Sequence, residues 1–544
     1  MRANKGSSQL ACFLLLIALI GGTVAPLFGA PTQQPQQRER RVNSPTPTTP
    51  PATTASPVQE TTATSAAAPK TPAELRARIL EVLRRPELAP AQMSVKVASL
   101  DSGRTLFEEN AGKLMLPASN MKLYTVAAAL DRLGPDFRFK TSVYAPAQPD
   151  AAGMVRGDLT VYGRGDPTFA ASLGGGDYTK AIDALAERIK ATGLKRVEGD
   201  LVGDETFFTG APQGFGWEWN DLTWYSGAEV SALSINDNAL DLIVKPGSRV
   251  GAPCTITTGP PVPLVTINNR TTTTVSGTRR ELIVYRGLGE NVLEVGGSLP
   301  VDDPGWTAAV AVSHPALVFV YLLRASLAAR GIEITGRSKV VDARSQLDVP
   351  TSAPRVEIAK VESAPLSLIA GYALKPSQNL YTELILRALG KATTVNAKLS
   401  SEEAGIEAVK AFLKEAGIGA TDVIFTDGSG LSRRDLVTAN STVQLLTFMS
   451  RHRYGAVFRE ALPIAGVDGT LKNRMKGTTA AGNVRAKTGT LSAVATLSGY
   501  VTSAAGERLV FAIMLNNYPE SSLMSRNHLD NIAVLLAGYK GSDK

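Results

Sequence analysis

The apolar and polar positions of this chain predict a helix, a hairpin and a second helix at the start of its globular part. Residues 73–83 carry apolar side chains at helical spacing. The segment from Met93 alternates apolar and polar residues on both sides of an Asp-Ser-Gly turn at 101–103, which is typical of a β-hairpin. Residues 116–130 follow, and the second half of this segment has strongly helical spacing. The chain is therefore expected to mix strands and helices.

Further along, the pattern predicts a long β-rich region and a C-terminal strand pair. Residues 140–335 are rich in Gly, Val and Thr, with turn signals roughly every ten residues, which favours a mostly β region. Residues 380–387 have helical spacing. Residues 487–501 predict one strand, and residues 509–517 predict the neighbour that pairs with it.

The first 70 residues differ in composition from the rest. Within residues 1–30, two basic residues precede an apolar run at 10–20, which is typical of an export signal or of an uncleaved membrane anchor. Cleavage after Ala25 would place Pro26 next to the cut, and cleavage after Ala30 would follow a bulky residue, so both alternatives stay open. Residues 31–70 are rich in Pro, Thr, Gln and Ala, which predicts a disordered linker.

Length and charge narrow the class of protein. A chain of 544 residues with 44% apolar content is expected to form more than one domain. The net charge of +8 is scattered rather than gathered in an aromatic-rich stripe, so nucleic acid is not an expected partner. Removal of the signal would leave Cys254 as the only thiol, and the three histidines lack ligand spacing. No disulfide, metal or other cofactor is expected.

Three short motifs supply chemistry without histidine: Ser119-Asn-Met-Lys122, Ser377-Gln-Asn379 and Lys487-Thr-Gly489. Ser119 lies at a predicted helix start, and a spacing of three residues places Lys122 on the same helix face, within reach of the hydroxyl. The N–H groups of that first turn can face developing negative charge. Each motif alone is weak, because serine often caps a helix and lysine is often a solvated charge. The order of all three carries the signal.

In this order the motifs resemble those of the penicillin-recognising serine D,D-peptidases and serine β-lactamases. More narrowly, the chain resembles the D-alanyl-D-alanine carboxypeptidase/endopeptidase family, the class C low-molecular-mass penicillin-binding proteins. The resemblance runs from about residue 75 to the end and includes six further strings, at 165–169, 203–207, 217–221, 231–238, 427–433 and 468–471.

The resemblance implies an α/β (α+β) fold with a β-lactamase-like D,D-peptidase domain, formed by residues 71–139 and 336–544. Residues 140–335 would then be an inserted β-rich region of one or two domains. Class A and class C β-lactamases lack such an insert, which disfavours that alternative. The peptidoglycan stem peptide would be the substrate, in the periplasm or cell envelope, with membrane tethering by an uncleaved N-terminal segment as an open alternative.

The three motifs allow an acyl-enzyme mechanism. Ser119 would attack the penultimate D-alanine carbonyl while Lys122 takes its proton, which requires a pKa well below the usual value of about 10.4. Ser377 would pass the proton to the departing amine with Lys487 close by, and Asn379 would hold the substrate amide and orient Lys122. A β-lactam would leave a persistent acyl-enzyme, so penicillins are expected to inhibit.

The third motif would bind the substrate strand. Lys487 and Thr488 are expected to hold the terminal carboxylate, with Gly489 and Thr490 completing the substrate-binding strand. The N–H groups of Ser119 and Thr490 would form the oxyanion hole.

Two charged residues in the further strings, Asp204 and Arg433, are candidates for binding a zwitterionic side chain such as that of diaminopimelate. Two alternatives to the carboxypeptidase remain: a serine β-lactamase, and a non-catalytic peptidoglycan-binding protein that keeps the fold. Neither the oligomeric state nor the balance of carboxypeptidase and endopeptidase activity follows from the sequence.

Overall fold

The computed structural model describes residues 68–343, 355–394, 396, 398–518 and 522–541. The predicted signal and almost all of the predicted linker lie outside these residues. Among the helices of the described part of the chain, none is both long and apolar enough to cross a membrane.

The helices of the described residues are α1 (Pro72–Leu83), α2 (Met121–Leu133), α3 (Lys180–Lys190), α4 (Pro315–Ala329), α5 (Leu366–Leu374), α6 (Asn379–Thr393), α7 (Ser401–Glu415), α8 (Ala439–Arg451), α9 (Gly455–Glu460) and α10 (Ser522–Gly538). The strands are β1 (Gln92–Ser99), β2 (Thr105–Glu109), β3 (Lys140–Ala145), β4 (Met154–Arg156), β5 (Leu159–Tyr162), β6 (Arg196–Glu198), β7 (Leu201–Asp204), β8 (Ala239–Lys245), β9 (Thr255–Gly259), β10 (Thr266–Thr274), β11 (Glu281–Arg286), β12 (Val292–Pro300), β13 (Trp306–Ala311), β14 (Glu333–Ile334), β15 (Ser338–Val341), β16 (Val356–Glu362), β17 (Val423–Ile424), β18 (Leu436–Val437), β19 (Arg485–Leu491), β20 (Val494–Thr502) and β21 (Arg508–Asn516).

An antiparallel sheet of order β19-β20-β21-β1-β2 joins the two ends of the described chain. Its central strand β21 is buried on both faces, because alternate side chains enter two different cores. Phe511 and Ile513 pack with α1 and α10 on one face, whereas Ala512 and Met514 pack with the helical layer on the other. The helix at 73–83, the β1–β2 hairpin and the pairing of residues 509–517 are confirmed.

Residues 487–501 are not one strand, as the pattern predicted, but a hairpin of β19 and β20. The turn between them contains Ala493, whose φ of 57° lies in the left-handed region that alanine rarely adopts. The sequence has no Gly, Asn or Asp at this position to mark the turn. One consequence is that β19 lies at the edge of the sheet.

Helix α2 lies inside the helical layer, which explains its mostly apolar sequence. Residues 121–130 are all buried, whereas a helix at a surface would bury one stripe. α2 packs against α5, α6 and α7, and it begins at the turn that carries Ser119. The nucleophile motif is therefore attached to a rigid element.

Within the described residues, the middle of the chain forms four further sheets, of order β15-β7-β5-β3-β16, β14-β6-β4, β13-β8-β9 and β10-β12-β11. Helices α3 and α4 pack on the first two and share one core with them. Both β15 and β16 lie beyond residue 335, yet β15 pairs with β7 and β16 pairs with β3. The strand pairing of the insert therefore extends to Glu362, past the predicted boundary, because its last strand pairs with its first.

Candidate active site

Ser119 lies in a single 3₁₀ turn, Ala118–Asn120, that leads directly into α2. The turn is tightly held, since Ala118 has a φ of 46° and Thr496 donates a hydrogen bond of 2.9 Å to the carbonyl of Pro117. Gly430 packs on it so closely that any Cβ there would overlap the Ala118 carbonyl oxygen. Ser119 itself is 5% exposed, so its hydroxyl faces a narrow opening.

Lys122 is fully buried. Its amine contacts Ser119 and Asn379, as the sequence predicted, and a third group that the sequence did not identify. Its Nζ lies 3.0 Å from Ser119 Oγ and 2.6 Å from Asn379 Oδ1. The additional partner is the backbone carbonyl of Ser429, 2.6 Å away. The amine is thus held by two carbonyl oxygens and directed at the hydroxyl.

The second motif precedes α6 as predicted. Ser377 has a φ of 65°, and its Oγ accepts a hydrogen bond of 2.8 Å from Lys487 Nζ. Gln378 caps the helix through its side chain. Asn379 is the first residue of α6, and its Nδ2 donates 2.8 Å to the carbonyl of Ser226, so its Oδ1 is oriented toward Lys122.

The third motif lies on the edge strand β19. Lys487 is buried, and its Nζ also bonds to the carbonyl of Thr488 at 2.8 Å. Thr488 Oγ1 donates to Thr470 Oγ1 at 2.7 Å, while Thr490 is partly exposed. A Cβ on Gly489 would lie 2.7 Å from the Pro117 carbonyl oxygen and would overlap Thr496, so only glycine lets β19 approach the Ser119 turn.

The sequence missed the support behind Lys122, which is a turn at residues 427–433 that we name the Asp427 turn. Asp427 is buried and accepts hydrogen bonds from the N–H groups of Ser429, Gly430 and Ser432. These bonds fix the Ser429 carbonyl on Lys122. The Asp-Gly-Ser-Gly string was visible in the sequence, but no pattern there shows which element it contacts.

Arg433 forms an ion pair with an acidic residue of the string at 217–221. It pairs with Glu218 at 3.0 Å, and its charge lowers the pKa of nearby Asp221, although burial is the larger effect and raises that pKa to about 6. Asp204 instead accepts from Thr206 and lies 3.8 Å from Arg355. No contact among the described residues joins Asp204 to Arg433, and their shared binding of a zwitterionic side chain stays a prediction.

A model of the D-Ala-D-Ala carboxypeptidase 3 (S13) family matches residues 75–539, which include all three motifs. The chain belongs to this family. It is 35% identical over 480 residues to the D-alanyl-D-alanine carboxypeptidase of Actinomadura sp. strain R39, covering 86% of this chain and 85% of that one. It is 27% identical to the D-alanyl-D-alanine carboxypeptidase DacB of Haemophilus influenzae, covering 79% and 86%.

The comparison of structures agrees with the assignment of this chain to the S13 family. The crystal structure of penicillin-binding protein 4 of Haemophilus influenzae matches with a TM-score of 0.72 and 27% identity, covering 84% of this chain and 97% of that one. The penicillin-recognising α/β fold is thereby confirmed. The protein is a serine-type D-Ala-D-Ala carboxypeptidase, a hydrolase.

Proposed function

We propose that this carboxypeptidase removes the terminal D-alanine of peptidoglycan stem peptides through an acyl-enzyme on Ser119, with Lys122 as the base. The observation that carries the assignment is the 3.0 Å contact between Lys122 Nζ and Ser119 Oγ. A neutral amine has two N–H bonds and one lone pair. If it donates to Asn379 Oδ1 and the Ser429 carbonyl, its lone pair remains for the hydroxyl proton.

The leaving amine needs a proton after the acyl bond forms. We assign this step to Ser377, since its hydroxyl accepts from Lys487 Nζ at 2.8 Å and can itself act as a proton donor. Lys487 would replenish that proton. Water then hydrolyses the acyl-enzyme and releases the shortened peptide.

The substrate strand would lie along β19. As an edge strand, β19 can pair with an extended peptide, while Thr488, Thr490 and Lys487 offer donors for the terminal carboxylate. Gly489 permits the close approach of β19 to the Ser119 turn. The N–H groups of Ser119 and Thr490 are assigned as the oxyanion hole, where one donor contributes about 3 kcal/mol.

The side chain of the third stem residue would be bound by Asp221 and Arg433. The segment at 217–227 reaches the cleft from the insert, because Ser226 accepts from Asn379 and Glu218 pairs with Arg433. A carboxylate and a guanidinium in one wall suit a side chain that ends in an ammonium and a carboxylate. In this proposal Asp221 takes the role for which Asp204 was a candidate.

The test is release of D-alanine from a synthetic pentapeptide ending in D-Ala-D-Ala, beside Ser119→Ala and the matched surface variant Ser276→Ala. The proposal expects release by wild type and Ser276→Ala and no release by Ser119→Ala. Equal release by all three proteins would refute the assignment of the nucleophile. A cross-linked stem dimer, run in parallel, reports endopeptidase activity.

Penicillin distinguishes the remaining alternatives. A carboxypeptidase of this mechanism is acylated and stays inhibited, because the ring-opened leaving group remains attached and excludes water. A β-lactamase would instead turn penicillin over, and a binding-only protein would react with neither substrate. The name of the structurally similar Haemophilus influenzae protein, a penicillin-binding protein, favours the first outcome.

The N-terminal segment supports an exported enzyme in the periplasm or cell envelope, where its substrate occurs. The basic residues and apolar run within residues 1–30 carry this proposal. N-terminal sequencing of the cell-purified protein tests it. A mature chain that starts near residue 26 or 31 means a cleaved signal, a membrane-bound chain that keeps Met1 means an anchor, and a chain with Met1 in the soluble cytoplasmic fraction contradicts export.

A further inference from the structure

Asp427 is 0% exposed and is the centre of a dense set of hydrogen bonds. Its Oδ1 accepts from the N–H groups of Ser429 at 3.0 Å and Gly430 at 2.6 Å. Its Oδ2 accepts from the Ser432 N–H at 2.9 Å, Ser429 Oγ at 3.1 Å and the Trp217 indole Nε1 at 2.7 Å. Both carboxylate oxygens are thus used, and every partner is a donor.

The Asp427 turn contacts the reaction machinery on two sides. Its Ser429 carbonyl accepts from Lys122 Nζ at 2.6 Å, and its Gly428 carbonyl accepts from Thr125 on the next turn of α2 at 2.7 Å. Gly430 packs against the Ala118 carbonyl beside the nucleophile. A displacement of this turn would therefore move the base relative to the nucleophile.

Trp217 connects the same carboxylate to the insert. It belongs to the segment at 217–227, whose Ser226 carbonyl orients Asn379. Lys122 has two carbonyl supports, and Asp427 is linked to both: to Ser429 within its own turn, and to Asn379 through the insert segment. One buried side chain thus connects the position of the insert to the position of the base.

Two further buried carboxyls, Glu383 and Asp435, lie close to Asp427. Burial, and next the charge of Asp427, raise the pKa of Glu383 and of Asp435 above their usual values. A carboxylate suits a site in which every partner donates.

We propose that Asp427 is a positioning residue for acylation: it fixes the Ser429 carbonyl on Lys122 and, through the Trp217 indole, couples the insert segment at 217–227 to the catalytic base. The inference rests on the proposed function, since it assumes that Lys122 activates Ser119. It predicts that Asp427 controls the acylation rate of a folded site rather than only the amount of folded protein.

Asp427→Asn tests this directly, because asparagine keeps the shape but turns one acceptor oxygen into a donor. Whichever way the amide is oriented, an NH₂ group faces N–H donors. We expect the acylation rate constant per acylatable Ser119, measured with a fluorescent penicillin, to fall about ten- to a hundredfold. The Michaelis constant for the D-Ala-D-Ala pentapeptide should change less than kcat. The matched control is Asp150→Asn, which also caps a turn but lies in the insert on an exposed loop.

Trp217→Phe and the double variant Asp427→Asn/Trp217→Phe test for changes in the acylation rate per site that a loss of folded protein alone would not produce. Trp217→Phe removes the indole donor and keeps an aromatic ring, so acylation per site should fall by about three- to tenfold, whereas the control Trp306→Phe on β13 should be unchanged. In Asp427→Asn/Trp217→Phe the conflict between the amide and the indole is removed, while the Ser432 N–H still opposes the amide. The double variant should therefore acylate faster than Asp427→Asn alone.

The possible results distinguish a failure of the role of Asp427 from a failure of the proposed function. Acylation of Asp427→Asn at the wild-type rate per site would overturn the inference. If Asp427→Asn yields no acylatable protein, Trp217→Phe decides, because a wild-type rate in that variant would overturn the coupling and a decrease would support it. Absence of any Ser119 adduct in the wild type would instead overturn the proposed function itself.

Discussion

At the scale of the residue, the decisive feature is a lysine amine that is buried among carbonyl oxygens and contacts a serine hydroxyl. Lys122 has two carbonyl partners at 2.6 Å and the hydroxyl at 3.0 Å. In the proposed mechanism this arrangement takes the place of the histidine of other serine hydrolases, because a positioned neutral amine is also a competent base. The sequence placed Lys122 beside Ser119 by helix spacing alone, whereas the Ser429 carbonyl could be found only in the folded chain.

Lys122→Met should abolish most acylation while leaving the protein folded. Methionine fills a similar volume, but the carbonyls of Asn379 and Ser429 lose a donor, which costs about 1–3 kcal/mol for each unsatisfied group. General-base catalysis contributes about a hundred- to ten-thousandfold, and the penicillin acylation rate should fall by that factor. Lys410→Met, on the exposed face of α7, serves as the control. An acylation rate in Lys122→Met within a factor of about three of wild type would contradict the role of the base.

The carboxyl group of Asp221 is expected to make the Michaelis constant of the substrate depend on pH. Burial raises its pKa to about 6. Below that pH the carboxyl is neutral and no longer attracts an ammonium group, and above it the carboxylate does. The Michaelis constant for a stem peptide with a free side-chain ammonium should therefore rise as the pH falls through about 6, relative to the same peptide with that amine acetylated. Asp221→Asn should remove the difference between the two peptides, and its persistence would exclude Asp221 as the binding group.

At the scale of the element, the site depends on how closely β19 approaches the turn before α2. The pattern of residues 487–501 predicted a strand but missed the turn at Ala493, since left-handed alanine leaves no sequence signal. The correction matters for function, because the hairpin places β19 at the sheet edge, where an extended substrate can pair. Hydrophobic periodicity predicts that a segment is extended. Only the fold shows which edge of that strand can still pair with a substrate peptide.

Gly489→Ala should move β19 away from the turn that carries Ser119. The added Cβ would overlap Thr496 Oγ1 and lie 2.7 Å from the Pro117 carbonyl oxygen, so β19 must move outward. Such overpacking costs about 1–3 kcal/mol, and acylation by penicillin should fall at least about tenfold. Gly296→Ala on β12 is the matched control, since nothing lies within 4 Å of its added Cβ. Wild-type acylation in Gly489→Ala would show that the close approach is not required.

At the scale of the whole molecule, residues 140–335, the predicted insert, make direct contacts with the candidate active site. Ser226 orients Asn379, Trp217 bonds to Asp427, and Tyr381 on α6 donates 3.0 Å to Asp237 of the insert. The family and the order of its three motifs could be predicted from the sequence, because each motif is a local string. The pairing of β16 with β3 and the proximity of Asp221 to Arg433 could not, because both depend on contacts between segments distant in the chain.

The most direct test of the account is intact-mass spectrometry of the purified protein after incubation with a penicillin, beside Ser119→Ala. The account predicts one long-lived penicilloyl adduct in the wild type, mapped by peptide analysis to Ser119, and none in the variant. An adduct that persists in Ser119→Ala, or rapid penicillin turnover by the wild type without an adduct, would contradict it.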